Sequence, residues 1–159
     1  MNVYATHDVG GNISYEFLGD PDGDGLFTYR LTLTTYQDCG SQFWFTQPGG
    51  NFPLGTQVLG VYEGFDTSST LSLSFTANLS LFDSSRIEIS LPSTCPSPPA
   101  SVCVYEVKYQ GTVDLPITFQ GYHFIFDKCC RNVLTNIPSP QPPSSGGTGI
   151  VYHAWTSGP

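Results

Sequence analysis

The feature that most constrains this chain is a two-residue hydrophobic rhythm. From Phe27, the side chains of Tyr29, Leu31 and Leu33 fall on one side of an extended backbone, and Arg30, Thr32 and Thr34 on the other. Successive Cβ atoms of a strand point to opposite faces, so the pattern describes a ribbon with one buried and one wet face. It returns at Tyr105, Val107, Tyr109, Val113 and Leu115, opposed by Glu106, Lys108, Gln110 and Asp114. Gly111 interrupts the apolar face there and predicts a bulge. Shorter strands are expected over Asn12–Leu18, Gln57–Tyr62, Thr70–Phe75, Arg86–Leu91, Gly121–Lys128 and Ile150–Trp155. No window carries a helical stripe with caps.

About eight short strands separated by Gly, Pro and Asp turns predict an all-β fold. The expected form is an antiparallel β-sandwich, Ig-like or jelly-roll-like and disulfide-stapled, with a barrel as the alternative. The 159 residues suit one domain with a tail. Residues 1–136 are read as the sandwich domain and 137–149 as a Pro/Ser/Gly-rich connector. Residues 150–159 are read as a terminal strand leading to a following domain or a neighbouring subunit. Such a strand can complete another copy's sheet.

Charge removes several functions. The net charge is −8, with Arg30, Arg86, Lys108, Lys128 and Arg131 the only basic residues besides histidine. Nucleic-acid binding needs clustered cations, so it is excluded, and an anionic membrane surface is disfavoured. No run approaches ~20 apolar residues, so direct membrane insertion is not expected. Met1-Asn2-Val3-Tyr4 does not open a signal peptide. If the protein is exported, this sequence is expected to begin after the cleavage site. Few lysines, abundant Ser and Thr, and five cysteines favour an oxidising compartment.

Cys95 and Cys103 flank a proline-rich segment. A bridge between them would close a loop of about nine residues, worth roughly 2.5 kcal/mol in the chain-entropy model. Cys39 and the Cys129-Cys130 pair end two other strands. Adjacent strand residues point to opposite faces, so only one of that pair faces Cys39 readily. Cys130 is the preferred partner, in a loop of roughly 90 residues worth about 4.5 kcal/mol. Cys129 is the alternative, or the free thiol. An odd thiol is either a buried small hydrophobe or a link to another chain.

The acidic turn Asp20-Pro21-Asp22-Gly23-Asp24-Gly25 matches the first half of an EF-hand-type calcium loop. Asp20, Asp22 and Asp24 would supply carboxylates and Leu26 a carbonyl. The second half fails, because Leu31 stands where a bidentate Glu is needed. A metal-free polar hairpin turn explains the same residues, and both readings stay open. Calcium, if bound, would be structural, and no other cofactor is expected.

Phe43, Trp44, Phe45, Tyr152 and Trp155 are the expected interface residues. Three consecutive aromatics cannot all point inward from one strand. Aromatic residues on β-sandwiches also bind sugars, although core packing is the commoner use. Glu63 and Asp66, or Glu88 and Glu106, could be paired as in a glycosidase, yet nothing fixes their spacing. No serine elbow, metalloprotease helix or phosphate-cradling glycine loop occurs. No catalytic residue is therefore assigned, and the chain is not expected to be an enzyme.

Several phrases taken in order carry a resemblance. They are Ala5-Thr6-His7-Asp8-Val9-Gly10-Gly11, then Leu31-Thr32-Leu33-Thr34-Thr35-Tyr36-Gln37-Asp38-Cys39. Val102-Cys103-Val104, Gly121-Tyr122-His123-Phe124 and Cys129-Cys130-Arg131-Asn132 follow. The set resembles the N-terminal module of large Bacteroidota cell-surface proteins, which are gliding-motility-associated and sorted by type IX secretion. Gln37 stands where that family carries Arg. The resemblance implies a secreted, extracellular address and an adhesin or filament role, without catalysis. The expected function is a structural or assembly module whose partners are copies of itself or adjoining domains. The alternative is a lectin-like adhesin module that recognises a surface glycan.

Overall fold

The computed structural model describes residues 8–38, 56–65, 71–87, 104–128 and 150–157. These residues form seven strands: β1 (Asp8–Gly19), β2 (Leu26–Asp38), β3 (Thr56–Glu63), β4 (Ser72–Arg86), β5 (Val104–Pro116), β6 (Tyr122–Lys128) and β7 (Ile150–Thr156). All pair antiparallel in one continuous sheet of order β1-β2-β5-β4-β3-β6-β7. The all-β antiparallel expectation is met. The strands are not divided into two separately bonded sheets; the one sheet curls until it is nearly a barrel.

The curl is built at β4. Its first half, to Ser80, pairs with β3, and its second half, from Ser80, pairs with β5. Ser80 is the register partner of both Thr56 and Gln110. Strands were expected at Thr70–Phe75 and Arg86–Leu91. The first is part of a single fifteen-residue strand that runs on to Arg86, and most of the second lies outside the described residues. The long strand was hidden because only Ala77 and Leu79 of its alternating residues are buried. Gly111 marks this crossing rather than the expected bulge, because β5 runs past it in unbroken register with β2. A Cβ there would lie 2.4 Å from the Asn78 carbonyl oxygen. The backbones of β4 and β5 can approach this closely only because the side chain is absent.

The alternation read from sequence fills the core. Tyr29, Leu31 and Leu33 of β2, with Val107, Tyr109 and Leu115 of β5, face Leu59 and Val61 of β3 and Phe124 and Phe126 of β6. Each fully buried side chain of this kind contributes about 1.5–3 kcal/mol. The Tyr29 and Phe124 rings meet across the interior at 6.0 Å. Burial raises the Tyr29 phenol above its ordinary range, partly offset by a hydrogen bond with Thr156.

The free edges, β1 and β7, meet through side chains. The Tyr15 hydroxyl donates to the Trp155 carbonyl at 3.1 Å. Gly11 lies against the Tyr152 ring, where a Cβ would come within 2.7 Å of it. The last strand is therefore seated in this chain's own sheet, on β6.

Candidate functional site

The β5–β6 connection is pinned at several points. The Tyr122 hydroxyl, at the first position of β6, reaches back to donate to the Pro116 carbonyl at 2.7 Å. Thr118 turns inward, and its hydroxyl donates to the Glu63 carboxylate at the end of β3. The Gln120 amide donates to the Thr118 hydroxyl at 3.2 Å, and the Gly64 amide to the Gly121 carbonyl at 3.2 Å. Gly121 has φ +83, and a Cβ there would fall 2.3 Å from the Thr156 carbonyl oxygen. Tyr122 is 1% exposed. Its hydroxyl pKa is pushed up to about 12, first by burial and then by the Glu63 carboxylate and Tyr29.

What this loop displays is apolar. With Thr118 held inward, Ile117 and Phe119 point out, and Phe119 is 95% exposed. The same end of the sheet carries Phe65 after β3 and Leu73 near the start of β4, both exposed. Register places them together, since Glu63 is opposite Tyr122 on one side and Ser72 on the other. Single exposed apolar residues are ordinary on protein surfaces, but a group of them at one place marks an interaction site. Here the group includes a phenylalanine held out by a hydrogen-bonded loop. Such a display loses little conformational freedom on docking.

The outer face of β2 and β5 is different in kind. Arg30 pairs with Glu16 at 2.6 Å, Lys108 with Glu106 at 2.7 Å, and Thr28 donates to Asp114 at 2.6 Å. Contact with Glu106 raises the Lys108 pKa. This face is polar and self-satisfied.

On the outer face of β6 and β7, His123 and His153 meet. His123 Nδ1 and His153 Nε2 are 2.8 Å apart, and His123 Nε2 is 3.1 Å from the Gly64 carbonyl. The rings are 11° from parallel with centroids 5.1 Å apart. Parallel rings whose nitrogens approach to 2.8 Å cannot lie face to face, because ring thickness forbids it. They lie edge to edge in a common plane. Trp155 flanks His123 at 6.4 Å.

The acidic turn closes on its own backbone. Asp20 accepts from the amides of Gly23 (2.7 Å), Asp24 (3.2 Å) and Gly25 (3.0 Å), and Asp24 accepts from the Leu26 amide at 2.9 Å. Gly23 and Gly25 have φ of +69 and +83. The Asp20 carboxylate thus holds the turn through three backbone amides. Among the described residues, no three potential metal-ligating side chains converge.

Of the expected interface residues, Trp155 lies half-buried on the outer face, while Tyr152 faces inward and stacks on Phe126 at 6.2 Å. Phe43, Trp44 and Phe45 lie outside the described residues, as do Cys39, Cys95, Cys103, Cys129 and Cys130. Sequence reasoning missed Ile117, Phe119 and the histidine pair. Pro116 and Tyr122, six residues apart around a Thr and a Gly, are the signal that could have exposed the corner loop. The histidine pair needed the β6–β7 register, which no local pattern supplies. Comparison with known protein families, curated proteins and solved structures yields no match.

Proposed function

We propose that this chain is a non-enzymatic assembly module of a large, secreted bacterial surface protein. Its docking surface is the apolar end built around Phe119. The observation that carries this reading is the fully exposed phenylalanine on a loop fixed by Tyr122, Thr118 and Gly121. Burying a phenylalanine side chain is worth about 1.5–3 kcal/mol. The companions Ile117, Phe65 and Leu73 favour a protein partner, another copy or an adjoining domain, over a sugar. A sugar site pairs aromatic platforms with hydrogen-bonding groups, and two of these companions are aliphatic.

The sequence resemblance to Bacteroidota N-terminal surface modules supports the extracellular address and the adhesin, filament or gliding setting. The finer architecture we propose is an immunoglobulin-like sandwich with β4 shared between its layers. Read as strands A to G, the order is A-B-E-D-C-F-G, and a tyrosine at the start of strand F that bonds back to the preceding corner is a hallmark of such folds. Disulfide staples are part of the same proposal. Asp38, Val104 and Lys128, which directly precede or follow Cys39, Cys103 and Cys129 in the chain, lie at the end of the sheet opposite Phe119. Asp38 and Val104 are register partners. Peptide mapping should therefore weigh Cys39–Cys103 against the pairings expected from sequence.

Sedimentation of the chain and of an Ile117→Ser/Phe119→Ser variant over a wide concentration range tests the reading. Concentration-dependent association of the parent, lost in a variant with an unchanged melting midpoint, is expected. Identical sedimentation of the two proteins, with retention of both on a glycan array, would favour the lectin-like alternative.

A further inference from the structure

The outer surface of the sheet is divided by charge. Over β1, β2, β5 and the second half of β4 it carries Glu16, Arg30, Asp83, Glu106, Lys108 and Asp114. Over β3, β6 and β7 the outer positions are those that alternate with the buried Leu59, Val61, Phe124, Phe126 and Tyr152. They include Val58, Tyr62, Ile125, Val151 and Trp155. Among the described side chains there, Asp127 is the only carboxylate, and no lysine or arginine joins it.

Register ties these residues into one surface. Tyr62 is opposite both Leu73 and His123, and His123 is opposite Trp155. Gly60 is opposite Ile125 in the next row. The Tyr62 ring lies over Gly60, where a Cβ would come within 2.5 Å of it. The missing side chain lets the ring lie down along β3 and fill the gap. Val58 and Leu73 are each 57% exposed and Val151 is 64% exposed. Through Leu73 the surface runs on into the apolar end at Phe119.

We propose that this face packs against the same face of a second copy of the chain. The inference rests on the assembly reading and makes the partner an identical subunit. Charge selects that partner. Two chains of net charge −8 repel wherever their carboxylates meet, as they would at the acidic turn or over β1, β2 and β5. The β3-β6-β7 face presents one described carboxylate per copy, so like charge opposes contact least there. A partner recognised by opposite charge would find almost nothing to pair with. Shape agrees with the charge. Sheets stack face to face about 10 Å apart with their side chains interleaved. A two-fold axis makes such a surface its own complement.

Charge substitution at Val58 and Val151 tests this, because both are exposed and lie outside the core. Sedimentation equilibrium at low salt compares the parent, a Val58→Lys/Val151→Lys variant, a Val58→Glu/Val151→Glu variant and an equal mixture of the two. The parent should self-associate. Each variant alone should associate at least tenfold more weakly, and the mixture should regain most of the loss. Equal association of the parent and both variants would overturn the second-copy face. It would leave the Phe119 end standing, since the Ile117→Ser/Phe119→Ser variant reads that separately. Loss in both variants without recovery on mixing would also overturn it, because an identical partner brings the opposite charge. A parent that stays monomeric at every concentration would do the same and leave the adjoining domain as the partner at Phe119. Should the variants unfold, hydroxyl-radical labelling of the parent decides. Tyr62 and Trp155 should label less at high concentration than at low, while Tyr36 on the polar face labels alike. Unchanged labelling of Tyr62 and Trp155 would sink the proposal.

Discussion

Replacing Tyr122 with Phe removes one oxygen and tests the corner that organises the apolar end. The ring is buried and stays so. The lost bond is short, 2.7 Å to the Pro116 carbonyl. A net hydrogen bond is worth about 0.5–1.5 kcal/mol, and the shortness of this part-buried bond places it toward the upper value. We therefore expect a loss of about 1.5 kcal/mol. For a domain of this size that is a fall in melting midpoint of about 3–6 °C. The alkaline limb gives an independent check. The Tyr122 hydroxyl pKa is raised to about 12 by burial, then by Glu63 and Tyr29, whereas a free tyrosine titrates near 10. A raised folded pKa gives stability that is whole below pH 10 and is lost as pH rises through 12. Up to about 2–3 kcal/mol goes with it. The Phe variant lacks this dependence, so its deficit at pH 7 should shrink and then reverse toward pH 12. Thermal melts of both proteins at several pH values supply the assay. Equal midpoints at pH 7, with parallel alkaline curves, would refute the account of the corner.

Gly121→Ala should cost more than 2 kcal/mol, seen in urea unfolding, because a positive φ and a Cβ 2.3 Å from the Thr156 oxygen act together. Gly111→Ala should be comparably damaging, and amide exchange should show β4 parting from β5 at Asn78, where the new carbon would fall 2.4 Å from a carbonyl oxygen. Asp20→Ala takes the acceptor from three amides. It should lower the midpoint by about 1–2 kcal/mol equivalent, and the parent's midpoint should not move with calcium or chelator. A calcium-dependent rise in that midpoint would instead assign the turn to metal binding.

Strands were legible wherever one face is buried. At β2 and β5, Leu31, Leu33, Val107 and Tyr109 are fully inside while Arg30, Thr32, Lys108 and Gln110 take the outer side, so the two-residue period carries through to the fold. β4 was only partly legible because it changes partners midway. Leu73, Phe75 and Leu81 keep the alternation yet remain exposed, so burial does not reinforce the pattern. Gly111 was read as a local irregularity because a sequence does not reveal that another backbone crosses there. The acidic turn was legible as a turn from its Asp and Gly residues, and Asp20 closes it by accepting from three amides. Ile117 and Phe119 escaped notice because a loop residue's exposure depends on which neighbour is pinned inward. Here that neighbour is Thr118, held by Glu63 from a strand more than fifty residues away.

The central proposal is that the fixed corner loop presents its apolar side chains to another protein surface. Hydroxyl-radical footprinting of the dispersed chain and of native assembled material, read residue by residue, measures this directly. The account predicts that labelling of Ile117, Phe119 and Phe65 falls sharply on assembly, while Arg30 and Thr112 on the polar face label alike in both states. Equal labelling of Phe119 in dispersed and assembled protein would contradict it.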